Sequence, residues 1–180
     1  VQDANSSVDT NALSEQERLK AAQLAEQQRL EQQRLEEEAR LAQERMKQET
    51  AQLLATRLVH FEYDSAELSS NDIRTLQAHA QYLKANTSAK VLLAGHADER
   101  GTREYNMALG ERRANAVQAF FVSNGVSNSQ LDTVSFGKEK PINPASTESA
   151  WAENRRVEIN YQQGAPRWFY AAQTEPYPPW

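Results

Sequence analysis

The sequence predicts an α+β protein: a two-layer βαβαββ sandwich of helices on one sheet, preceded by a long α-helix. Three observations carry this. From about Leu13 to Leu58 the chain contains no Gly or Pro and is rich in Glu, Gln, Arg, Ala and Leu, which are strong helix formers. Residues 58–161 then alternate short apolar runs of period two with amphipathic runs of period near 3.6. Turn and cap residues such as Asp64-Ser65, Ser69-Ser70 and Asn124-Gly125 separate them.

In chain order, residues 1–11 are small and polar and read as disordered. Residues 12–57 read as one charged helix or coiled coil, supported by pairs such as Glu31/Arg34, Glu36/Arg40, Glu44/Lys47 and Arg45/Glu49. At 1.5 Å per residue it would reach roughly 70 Å. Its leucines recur every eleven residues, at Leu13, Leu24, Leu35 and Met46 and again at Leu19, Leu30 and Leu41. That repeat is about 3.67 residues per turn, giving a nearly straight or slightly right-handed assembly unlike a heptad zipper. The two rows lie about 140° apart around the helix, so one two-stranded seam cannot bury both. Two readings stay open: a helix that self-associates or binds a protein partner, and a solvated charged rod.

The globular part is expected over residues 58–161. Leu58–Tyr63 alternates apolar and polar residues as a strand does. Ser69, Ser70 and Asp72 open a helix with Ile73, Leu76, Ala80 and Leu83 on one face. Lys90–Gly95 reads as a short buried strand, followed by a loop and a helix over about 103–124. Leu131–Phe136 and Arg156–Tyr161 are the last two strands, with Val157, Ile159 and Tyr161 facing alike. The connection between them starts at Asn143-Pro144 and includes Trp151. Residues 162–180 carry five aromatics and four prolines. They read as a tail packed back on its own domain, a partner-docking peptide, or a flexible extension.

With net charge −5 and a pI near 5.3, the chain lacks the basic face that nucleic acid would want. It has no Cys, which excludes disulfides and thiolate zinc sites and suits an oxidising compartment. Its first residue is Val1 rather than Met, so a preceding segment is expected to have been removed.

The helix over 103–124 carries an apolar stripe of Leu109, Ala116, Val117 and Phe120, interrupted by Asn106 and Arg113. Helical projection places Arg113 on the inward face and turns Arg112 to water. A guanidinium on an inward face is costly unless something anionic meets it. Just upstream lies the charged loop Gly95-His96-Ala97-Asp98-Glu99-Arg100-Gly101. A fixed cation beside fixed carboxylates makes a site for a zwitterion. Gly110, within that helix, is expected to mark close backbone packing.

The blocks Gly95–Thr102, Glu104-Tyr105-Asn106, Leu109–Ala114 and Asn154-Arg155-Arg156-Val157 resemble the OmpA C-terminal domain family over about residues 57–161. The resemblance implies an OmpA-like βαβαββ sandwich that grips the peptide stem of Gram-negative peptidoglycan without covalent bonds, chiefly at meso-diaminopimelate. It implies that Asp98 holds the ammonium of that residue and Arg113 its carboxylate. Asn106 would either support the same recess or shape the helix start, while Arg100 and the backbone near Asp64 would line the rim. Arg155 and Arg156 are expected to stabilise the sheet end near Trp151. The location implied is the periplasm, at the outer membrane and cell wall, with the chain tethering an envelope component to the wall. An alternative is an assembly or scaffold subunit of a trans-envelope complex. Helix 12–57 and tail 162–180 would then bind envelope proteins or a second copy, with the domain as wall anchor.

An enzyme is the main rival. His60, His96, Asp98 and Glu99 can be imagined as metal ligands, or His96 with Asp98 as a base pair. No His-Glu-x-x-His motif, Cys ligand set or nucleophile elbow occurs, so neither catalysis nor a metal or cofactor is expected.

Overall fold

A computed structural model describes residues 3–166, with side chains in the first helix described from Ser14 onward. Trp168, Phe169, Tyr170, Tyr177 and Trp180 of the expected aromatic tail lie outside the described residues. Helix α1 runs Asp3–Ala55, so the backbone over residues 3–11, expected to be disordered, is helical. No Gly or Pro in that stretch breaks the helix that strong formers propagate from downstream. The chain divides into two compact units, residues 1–48 and 49–180.

In the first unit, Arg34 pairs with Glu31 and, at 3.0 Å, with Glu38. Arg40 pairs with Glu37 at 2.5 Å and Glu44 at 2.8 Å rather than with Glu36. The described members of the two leucine rows, Leu19, Leu24, Leu30, Leu35, Leu41 and Met46, are between 45 and 66% exposed.

The second unit begins in the last turns of α1, where Leu54 is buried. It continues through β1 (Leu58–His60), α2 (Ser70–Ala85), β2 (Lys90–His96), α3 (Arg103–Ser123), β3 (Leu131–Gly137), α4 (Glu148–Asn154) and β4 (Arg156–Gln163). The sheet order is β1-β4-β2-β3. Strands β2 and β3 run parallel, joined across α3, while β4 pairs antiparallel with both β1 and β2. Leu76, Ala80 and Leu83 of α2 and Ala114, Val117 and Phe121 of α3 share one core with Val59, Val91, Leu93, Leu131, Val157 and Ile159 of the sheet.

Three details depart from the sequence expectation. Strand β1 stops at His60 rather than Tyr63, because His60 pairs with Arg156 and β4 starts there. The chain then turns at Asp64, whose φ is 55°. The connection before β4 contains a short helix, α4, capped by Thr147 Oγ1 accepting from the Ala150 amide at 3.2 Å. On α3 the buried stripe is Asn106, Leu109, Gly110, Arg113, Ala114, Val117 and Phe121. Ala116 and Phe120, expected in it, are only half-buried. The stripe drifts because a helix turning 3.6 residues does not keep one residue spacing over five turns.

Close approach of α3 to β2 depends on two glycines. A Cβ on Gly95 would lie 1.8 Å from the Gly110 carbonyl oxygen, and one on Gly110 would lie 2.3 Å from Ser135 Oγ. This contact holds the inward face of α3 at the end of β2, where the charged loop leaves the sheet.

Candidate functional site: a charged recess at the end of strand β2

Residues 97–102 link β2 to α3, whose N-terminus is capped by Thr102 Oγ1 accepting from the Tyr105 amide at 3.1 Å. The first turns of α3 bring Asn106 and Arg113 under this loop, and the β1–α2 connection closes the other side. Together they line a recess of about 50 Å3, formed by Tyr63, Asp64, Asp98, Arg100, Gly101, Tyr105, Asn106, Leu109 and Arg113. All five expected site residues, Asp98, Arg113, Asn106, Arg100 and Asp64, meet there.

Arg113 is wholly buried, but no carboxylate is bonded to it, in contrast to the sequence expectation. Its Nε donates to the Ser65 carbonyl at 2.8 Å, Nη1 to that of His96 at 2.8 Å and Nη2 to that of Glu62 at 3.1 Å. Carbonyl dipoles converge here because the β1–α2 segment leaves the sheet with its acceptors unused by any strand. A guanidinium has five N–H donors, so two are left without a hydrogen-bond partner among the described residues. Burial, and then the nearby Arg155, pull its pKa down to about 10, which leaves it charged at neutral pH.

Asp98 is also buried, and four donors converge on it. Oδ1 accepts from the Arg100 amide at 2.9 Å and Arg100 Nε at 3.1 Å. Oδ2 accepts from Arg100 Nη2 at 2.8 Å and Arg155 Nη1 at 3.5 Å. Burial opposes its ionisation most strongly, yet the bonds from Arg100 and Arg155 outweigh it and hold the carboxyl below its usual range. The guanidinium of Arg100 sits 4.1 Å from the ring centres of both Tyr63 and Trp151. Asn106 Nδ2 donates to the Arg100 carbonyl at 2.8 Å, so it shapes the loop while also lining the recess. Asp64 accepts from the Tyr105 hydroxyl.

Sequence reasoning missed four contributors. Tyr63 and Trp151 sandwich Arg100, and the Trp151 indole is fixed by Glu99 Oε1 at 3.0 Å. Arg155, expected only at the sheet end, also reaches Asp98 and donates from Nε to the Phe61 carbonyl at 2.9 Å. Tyr105 holds the Asp64 turn. The motif spacing gave no signal for these, since each contact spans about forty to ninety residues of chain. Arg156 does hold the sheet end, binding Glu158 at 2.6 Å and the Lys140 carbonyl at 3.0 Å.

The residues imagined as metal ligands do not converge. The His96 ring stacks on Phe136 with centroids 5.4 Å apart, while Asp98 and Glu99 are engaged as above. Among the described residues no group of three or more His, Cys, Asp or Glu is placed to hold a metal, and no helix is long and apolar enough to cross a membrane. A larger and more open cleft, about 610 Å3, lies beside Phe61, Leu68 and Asp72 but contains none of the five expected residues.

Residues 60–155 match the OmpA family. The chain belongs to the OmpA family. Among OmpA-family relatives, it is 54% identical to the peptidoglycan-associated lipoprotein of Pseudomonas putida over 111 residues, covering 62% of this chain and 66% of that protein. The peptidoglycan-associated lipoprotein of Legionella pneumophila is 47% identical over 113 residues, 63% of this chain and 64% of the other. The chain thus spans about two thirds of the length of these curated relatives. The crystal structure of the peptidoglycan-associated lipoprotein from Burkholderia pseudomallei superposes with a TM-score of 0.60 at 45% identity, covering 61% of this chain and 93% of that one. The C-terminal domain of Helicobacter pylori MotB, at 20% identity and a TM-score of 0.58, shares the fold. The loop and helix blocks at 95–114, which carried the family resemblance, build the recess.

Proposed function

We propose that this chain is a non-catalytic peptidoglycan-binding protein of the periplasm. It tethers an outer-membrane or envelope component to the cell wall by gripping the diaminopimelate of the stem peptide. The observation that carries the reading is the shared recess of Asp98 and Arg113, two buried opposite charges held by separate partners rather than by each other. The free end of diaminopimelate bears an ammonium and a carboxylate on one carbon. Asp98 takes the first and the two remaining N–H groups of Arg113 take the second, bidentately. Three main-chain carbonyls fix Arg113 beforehand, so little ordering remains at binding. The recess is small, about 50 Å3, and carries both charges in its lining, which suits a charged end-group. The names of the relatives support peptidoglycan as the polymer.

The exposed leucine rows of α1 offer a surface for a second copy or for an envelope protein, which would place the anchor within a larger assembly.

Co-sedimentation with purified sacculi tests the wall-binding reading. Asp98→Asn and Arg113→Lys, each shown folded by circular dichroism, are expected to lose about 2–5 kcal/mol of binding. Undiminished pelleting of both variants would remove the recess as the site.

A further inference from the structure

We propose that Arg100 is the recess's own cationic occupant, and that the need to displace it sets a threshold of affinity that a head group carrying both an ammonium and a carboxylate meets. The inference rests on the reading of the recess given above. An ionised carboxylate offers about four lone-pair sites. At Asp98 all four are met by Arg100 and Arg155, three of them by Arg100. No incoming ammonium can bond Asp98 fully while the Arg100 side chain stays in place.

Of the three guanidiniums near the recess, Arg100 is the one built to leave. Arg113 and Arg155 are buried and tied to main-chain carbonyls. The Arg100 side chain is 31% exposed, and among the described residues its guanidinium hydrogen-bonds only Asp98. The rings of Tyr63 and Trp151 hold it from either face, and Tyr63 is 62% exposed. Swinging Arg100 outward breaks no backbone contact, since its amide bond to Asp98 survives the motion.

The exchange differs between two kinds of cation. A lone ammonium replaces a two-point fork and two ring faces with a single point charge, and gains nothing at Arg113. A head group with an adjacent carboxylate makes the same exchange and also reaches the two N–H groups of Arg113 that no described residue uses. Arg100 thereby sets a threshold that a lysine-type side chain does not cross and a diaminopimelate end does.

Isothermal titration of the full chain with soluble muropeptides tests this, using stem peptides with diaminopimelate or lysine at the third position. Removing a competing internal occupant raises apparent affinity by the fraction of time it blocks the site, so Arg100→Ala should bind the diaminopimelate form about tenfold tighter. It should tighten the lysine form by the same factor, bringing its binding into measurable range while the preference between the two stays the same. Arg100→Gln, which keeps the side-chain length without the charge, should behave alike. Weaker binding of the diaminopimelate form by the Arg100 variants would mark Arg100 as a ligand contact and overturn the proposal; so would unchanged affinity for both forms. Asp98→Asn separates the two readings. If it leaves binding intact, the recess is not the site and both fall. If it abolishes binding while the Arg100 variants bind no tighter, only the role of Arg100 falls.

Discussion

Arg113 is a wholly buried cation on which three main-chain carbonyls converge. Its guanidinium replaces water for three carbonyls, of Glu62, Ser65 and His96, drawn from two separated segments. Lysine presents a compact ammonium that cannot span three divergent acceptors. Arg113→Lys should therefore lower unfolding free energy by about 3 kcal/mol, by leaving buried carbonyls unpaired. Urea denaturation measures this, and a loss well below 1 kcal/mol would mean that Arg113 does not hold the β1–α2 segment. The inward position of Arg113 was legible because helical projection depends only on spacing. Its partners were not, because a main-chain carbonyl has no residue signature; a carboxylate was expected where three peptide groups serve. Asp98 was legible as an acid of the charged loop, whereas its occupancy by Arg100 depended on Tyr63 and Trp151, which the fold alone brings together.

At the scale of elements, the site depends on how closely α3 lies on β2. The Gly95–Gly110 contact allows it, and Gly110 was readable because a glycine inside a helix costs about 1 kcal/mol against alanine and needs a reason. Its partner Gly95 was not, since pairing across elements leaves no local pattern. A methyl group on Gly110 would meet Ser135 Oγ at 2.3 Å and the Gly95 carbonyl oxygen at 2.9 Å. Gly110→Ala should destabilise on the order of 3 kcal/mol by forcing α3 away from the sheet. It should also weaken muropeptide binding more than Asn106→Ala, because the shift carries Arg113 with it. Thermal melts paired with titration calorimetry check both; an alanine variant of native stability would show that α3 can slide without cost. Strand β1 and helix α4 illustrate where element boundaries escape sequence. The alternation at Leu58–Tyr63 continues past His60, but β4 supplies no ladder partner there. Helix α4 has only seven residues, too few for a periodic signal.

At the scale of the whole molecule, two buried histidines couple stability to pH. His79 joins three parts of the second unit: Nδ1 lies 2.7 Å from the Tyr161 hydroxyl on β4, and Nε2 lies 2.9 Å from the Thr56 carbonyl just after α1. The carbonyl can only accept, so Nε2 carries the proton and Nδ1 accepts from Tyr161. Burial is the main reason its pKa falls from 6.5 to about 4, with Arg57 adding to the fall. His96 is likewise pushed down to about 4, by burial and then by Arg156, while Glu158 Oε1, 3.4 Å from Nε2, opposes the fall. Both rings are neutral in the folded chain and take up protons near pH 6.5 once it unfolds. Their contribution is therefore complete above pH 6.5 and is lost as pH falls toward 4, where the unfolded state binds more protons. For His79 alone the loss is about 3 kcal/mol across that window. The depressed carboxyl of Asp98 acts in a separate range, holding its contribution above the ordinary carboxylate pKa of 3.8 and losing it only below. Urea midpoints at pH 7, 5.5 and 4.5 should thus fall steadily while muropeptide affinity of the folded fraction stays level. His79→Gln should start lower at pH 7 and decline less steeply, because the glutamine cannot titrate. A wild-type midpoint that stays flat from pH 7 to 4.5 would mean that both rings accept a proton in place without cost to the fold.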